Sequence, residues 1–120
     1  MSACLLTREE VHLENLPDIG DVRSMLQLLE EIGASVERIG PHEVKVKAQH
    51  IGATSLPKDV ARGIRGSITL AAPLLARCGR TQFPQPGGDR IGRRRIDSHL
   101  LGFQQMGVHC SASADSFHLW

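Results

Sequence analysis

An α/β (α+β) fold, assembled from repeated strand–helix–hairpin units, is predicted by three features of the sequence. Polar and apolar residues alternate over 10–16, 34–39 and 43–48, the period of a half-buried strand. Apolar residues recur at helical spacing over 22–32 and 97–106. The halves also correspond. Leu28-Leu29-Glu30-Glu31-Ile32-Gly33-Ala34 aligns with Gly102-Phe103-Gln104-Gln105-Met106-Gly107-Val108 at an offset of 74 residues, and each copy reads strand, loop, helix, glycine, hairpin.

In chain order, residues 1–7 are small and apolar and read as the tail of a helix. The strand over 10–16 ends at Pro17-Asp18, and Asp18 or Asp21 is placed to cap a helix carrying Val22, Met25, Leu26, Leu28, Leu29 and Ile32. Gly33 is expected just past its end. Gly40-Pro41-His42 turns between the two strands of a hairpin. After a connection over 49–57, a helix is expected from Lys58 to Ala76, kinked at Pro73, with Val60, Ile64, Ile68, Ala71, Ala72 and Leu75 on its apolar face. Thr81-Gln82-Phe83 reads as a strand. Asp97–Met106 reads as a helix with Leu100, Leu101, Phe103 and Met106 on its apolar face, followed by a hairpin around Ala114-Asp115. The chain is one partial domain over 1–120 with units at about 8–48 and about 80–120. Such units need neighbours to bury their open faces, so a segment of a longer repeat protein, or a truncated product, is expected.

The 120 residues are 41% hydrophobic and 22% charged, a globular balance. Net charge is only +1 and aromatic content 3%, which argues against nucleic acid as a partner. Cys4, Cys78 and Cys110 are odd in number and scattered, so a reducing, cytoplasmic compartment is expected. The six histidines are scattered too and give no metal-ligand spacing. His12, His42, His50, His109 and His118 read as surface or strand residues, and Cys78 as packing. The longest apolar run, Ile68–Ala76, contains Pro73 and is too short to cross a membrane.

Chemistry concentrates in Phe83–His99, which holds two prolines, three glycines and four arginines. Glycine lets backbone approach a ligand closely, and the arginine fork suits carboxylate and phosphate oxygens. The stretch therefore reads either as a loop that closes over an anionic substrate or as an exposed connection with a solvated basic face. Asp89 at its tip is either an acid or a partner of Arg90. Asp97 opens the following helix as a cap that can also lie near a bound anion.

Four stretches carry a resemblance: Leu16-Pro17-Asp18-Ile19-Gly20-Asp21-Val22; Ile64-Arg65-Gly66-Ser67-Ile68; Ala72-Pro73-Leu74-Leu75-Ala76-Arg77-Cys78-Gly79; and Pro86–Leu100. In this order they are similar to the enolpyruvyl transferase family, and within it to the UDP-N-acetylglucosamine 1-carboxyvinyltransferases of peptidoglycan synthesis. The resemblance implies two similar domains, each an inside-out α/β barrel of three βαβαββ-type units, of which this chain would hold about half of one. A Lys-Asn pair of the family would fall before Met1. The catalytic base and several phosphate-binding arginines would belong to a second domain or a complementing chain, so activity of this chain alone is not expected. The implied partners are phosphoenolpyruvate and UDP-N-acetylglucosamine, with no cofactor, no metal and no membrane.

The same resemblance makes Asp89 the general acid that protonates the phosphoenolpyruvate methylene carbon, at a position where many members carry Cys. Arg94 then holds the phosphoenolpyruvate anion, Arg65 faces the same cleft, and Ile96, Asp97 and Ser98 with His99 contact the uracil. Arg95 falls in this strip where the family usually has Pro. Arg93 and Arg95 equally read as solubilising. The nearest rival is a 3-phosphoshikimate enolpyruvyl transferase, which lacks the acid-bearing loop. A second is an anion- or RNA-binding fragment using Arg90–Arg95.

Overall fold

The computed structural model describes residues 1–87 and 95–120. A 3-10 turn, Ser2–Leu6, precedes strand β1, Glu10–Leu13, and helix α1, Gly20–Glu31. Strands β2, Ser35–Gly40, and β3, Glu43–Lys47, form the first hairpin. Helix α2, Lys58–Ala61, a 3-10 helix, Arg65–Leu70, and helix α3, Ala71–Cys78, follow. Strand β4, Thr81–Pro84, helix α4, Asp97–Gln105, and strands β5, Cys110–Ala112, and β6, Ser116–Leu119, complete the chain.

The strands make two three-stranded antiparallel sheets with the same topology, β1-β3-β2 and β4-β6-β5. In the first, Leu13 faces Val44 and Val36 faces Val46; in the second, Phe83 faces Phe117 and Cys110 faces Leu119. The connection over 49–57 lies against β4, where Leu56 N–H donates to the Gln82 carbonyl and Gln82 N–H to that of Thr54, both at 2.9 Å. One edge of the second sheet is thus covered.

One core joins all layers. Leu28 and Leu29 of α1 and Ile32 just after it are fully buried, with Leu5, Val46, Leu70 and Leu74. Burying a large aliphatic side chain contributes about 2 kcal/mol, whereas an N-cap contributes about 1. This explains why α1 forms although neither expected carboxylate caps it: its N-cap is Ile19, without a side-chain bond, and Asp18 instead accepts from Arg23 at 2.7 Å. After α1, Gly33 takes φ +102°, its N–H donating to Glu30 and that of Ala34 to Leu29. Gly107, 74 residues on, repeats the arrangement with φ +88° and bonds from Gly107 to Gln104 and from Val108 to Phe103. Both are the paired bonds of a helix closed by a left-handed residue.

The long helix expected from Lys58 to Ala76 is three pieces, and the break falls at Arg62–Ile64, not at Pro73. Gly63 weakens the helix there. The buried Ser67 hydroxyl then donates to the freed carbonyls of Ala61 and Ile64 at 2.8 and 2.9 Å. Pro73 sits in the first turn of α3, where amides lack intrahelical partners and a missing N–H costs nothing. The break shifts the buried face: Ala61, Ile64, Ile68, Ala71 and Leu74 are buried and Ala72 is exposed. On α4 only Phe103 of the expected face is buried; Leu101 is 55% and Met106 72% exposed. Residues 1–7 form the 3-10 turn rather than a helix tail, and β1 stops at Leu13.

Candidate active site: the arginine strip and its supports

The 3-10 helix after the break presents Arg65 half-buried, one guanidinium nitrogen donating to the Arg95 carbonyl at 2.8 Å. This bond joins two of the stretches singled out in the sequence. Ile96 anchors the strip from below: it is buried in the core and serves as the N-cap residue of α4. Asp97 is therefore the first helical residue, not the cap, and its carboxylate pairs with Nε of Arg95. A first-turn carboxylate complements the helix dipole without capping it. Arg95, Asp97 and Ser98 are all exposed. Asp97 and Ser98 open onto a hollow of about 690 Å³ between α4 and β5–β6, floored by Leu100, Cys110 and Phe117. Burial pushes the Cys110 thiol pKa up, so this sulfur is held as the neutral thiol. Asp89 and Arg94 lie outside the described residues.

The near side of the loop has its own mooring. A Cβ on Gly87 would lie 1.6 Å from the Arg62 carbonyl oxygen, so glycine is required there for close approach rather than for pliability. Gln85 N–H donates to the Asp115 carbonyl at 3.2 Å. The Asp115 carboxylate in turn takes Lys58 at 2.6 Å and Arg62 at 3.3 Å. Chiefly through the Lys58 bond, its pKa is held below the usual carboxylate value. Helix α2, the loop root and the β5–β6 turn are thus one unit. Sequence reasoning gave Asp115 only a turn. Lys58 and Arg62 stand four residues apart, one helical turn, but nothing local in the sequence points to a carboxylate 57 residues from Lys58.

A second support was also missed. Arg77 donates to the carbonyls of Leu5 at 2.7 Å, Thr7 at 2.9 Å, Ala48 at 3.1 Å and Gln49 at 3.5 Å. It ties the 3-10 turn and the end of β3 to α3. Among the described residues no three His, Cys, Asp or Glu side chains gather to hold a metal ion, and no helix is long and apolar enough to cross a membrane.

The two like sheets, with a helix arginine bound to a strip that opens the next helix, define an enolpyruvyl transferase fold. The family model described as EPSP synthase (3-phosphoshikimate 1-carboxyvinyltransferase) matches residues 1–119, and the chain belongs to this family. The enolpyruvyl transferase NikO from Streptomyces tendae superposes with a TM-score of 0.78 at 26% identity, over 98% of this chain and 26% of that one. Among curated relatives, UDP-N-acetylglucosamine 1-carboxyvinyltransferase of Bradyrhizobium diazoefficiens is 42% identical over 113 residues, 94% of this chain and 26% of its own length. The enzyme of the same name from Wolinella succinogenes is 45% identical over 108 residues, 90% of this chain and 26% of its own length. The chain thus spans about a quarter of these relatives.

Proposed function

We propose that this chain is the acid-bearing, nucleotide-contacting part of an enzyme that transfers enolpyruvyl from phosphoenolpyruvate to the 3′-hydroxyl of UDP-N-acetylglucosamine, the committing step of peptidoglycan synthesis in the cytoplasm. The observation that carries this reading is the 42–45% identity, across nine-tenths of the chain or more, to relatives of that name. The arrangement of Arg65, Arg95, Ile96 and Asp97 supports it, because a buried anchor and a guanidinium–carbonyl bond fix the strip's backbone before any ligand arrives.

Addition joins the sugar oxygen to C2 of phosphoenolpyruvate while Asp89 gives its proton to C3, turning methylene into methyl. The hydroxyl proton goes to a base supplied outside this chain. Elimination removes a C3 proton, restores the double bond and expels phosphate. Arg94 and Arg65 offset the anionic charge at the phosphate and carboxylate. Asp97 and Ser98 contact the uracil, and Arg95 neutralises Asp97 between turnovers. By itself the chain lacks the base and does not turn over.

The rival acceptor, shikimate 3-phosphate, is favoured only by the description of the family model. A chimera decides. Residues 1–120 replace the matched quarter of the Wolinella succinogenes enzyme, and phosphate release from phosphoenolpyruvate is measured with each acceptor. Release is expected with UDP-N-acetylglucosamine, falling at least about 100-fold in Asp89→Asn. Release with shikimate 3-phosphate alone, or an Asp89→Asn chimera as fast as its parent, overturns the reading.

A further inference from the structure

Where β3 ends and β1 begins, the exposed residues Arg8, Glu9, Lys47, Gln49 and His50 line a hollow of about 250 Å³. Among the described residues neither Arg8, Lys47 nor His50 makes an ion pair or side-chain hydrogen bond. The carboxylate facing Lys47 across the sheet is Glu10, and Glu10 is taken by Lys45 at 3.2 Å. Two fixed positive charges therefore share one concavity with the single carboxylate of Glu9. Like charges that share a hollow repel unless an anion joins them.

The hollow is also braced. One of its walls, Arg8-Glu9, follows Thr7, and the other is the end of β3. Arg77 holds both by bonding the carbonyls of Thr7, Ala48 and Gln49. Its guanidinium fixes the backbone spacing of the two walls, so a ligand has only their exposed side chains to order.

We infer that this hollow is a binding site for a phosphate dianion, carried either as the free ion or as a small phosphate monoester. A tetrahedral dianion accepts from the Arg8 fork and the Lys47 ammonium together, with Gln49 and His50 supplying neutral donors. A monocarboxylate would answer only one of the two charges. The site lies on the first sheet, apart from the strip at α4, and does not depend on the proposed reaction.

The test is an amide-shift titration of the ¹⁵N-labelled chain with inorganic phosphate, with glycerol 3-phosphate, and with chloride at equal ionic strength. Saturable shifts confined to residues 7–9 and 47–50 are expected, with Kd on the order of 1–10 mM. Lys47→Gln weakens binding about fivefold and Glu9→Gln tightens it about threefold. Tighter binding of the monoester assigns the site to phosphorylated small molecules, and tighter binding of inorganic phosphate assigns it to the free ion. Equal shifts with chloride, shifts spread alike over Lys58, Arg62 and Arg95, indifference to both substitutions, or a spectrum without the dispersion of a folded chain overturn the proposal.

Discussion

Arg77 illustrates how much one side chain decides here. Four carbonyls from two distant segments converge on its guanidinium, those of Leu5, Thr7 and Ala48 through part-buried bonds. Bonds to a charged group contribute about 1.5–3 kcal/mol, and the loss also strands acceptors. Arg77→Ala is expected to lower unfolding free energy by about 2–3 kcal/mol in urea titration, with Arg77→Lys recovering less than half because a point charge cannot serve the fork. Carboxylates set the acid limit. Asp115, held by Lys58 and then Arg62, and Asp18, held by Arg23, both have pKa values lowered from 3.8. A lowered folded-state value stabilises above the unfolded value and is lost as pH falls through the folded one. The urea midpoint is therefore expected to hold level down to about pH 5 and fall below about pH 4, and Asp115→Asn should flatten part of that fall. Both pairs are exposed, so the change is modest.

At the scale of elements, the two helix-ending glycines make a controlled comparison. Gly33 and Gly107 share a left-handed φ, but a Cβ on Gly33 would meet Gly52 N at 2.8 Å, whereas one on Gly107 meets nothing within 4 Å. Gly107→Ala is expected to cost about 1 kcal/mol from backbone strain alone. Gly33→Ala should cost at least twice that, about 2 kcal/mol or more, because the connection beginning at His50 must also move. Equal losses on chemical denaturation would show that the connection yields freely. These caps, the alternating strands and the apolar stripe of α1 were legible because each is a local pattern with a fixed period. The break near Gly63 was not. Its cause is partly Ser67, whose hydroxyl caps a helix six residues back, a bond with no sequence signature. The exposed side of α4 is not legible for a related reason: periodicity marks an apolar face but not what lies against it.

Taken whole, the molecule is a slab, 39 × 32 × 21 Å, with a radius of gyration of 14.2 Å. A compact chain of this length would have about 13.6 Å. Leu101, Met106 and Trp120, all more than half exposed, lie in or after α4 and the second sheet. The motif of the candidate strip stands out in the sequence because it is contiguous. Its supports do not, since Arg62, Asp115 and Gly87 meet only through the fold.

The only tryptophan, Trp120, stacks on His109 with ring centroids 5.8 Å apart, and the two exchange backbone bonds. Its fluorescence is consequently a lamp lit in one room of the house. It brightens or dims with the second sheet, and reports the first only through the core they share. Dichroism watches both, so divergence between the two optical signals on heating would time the sheets separately.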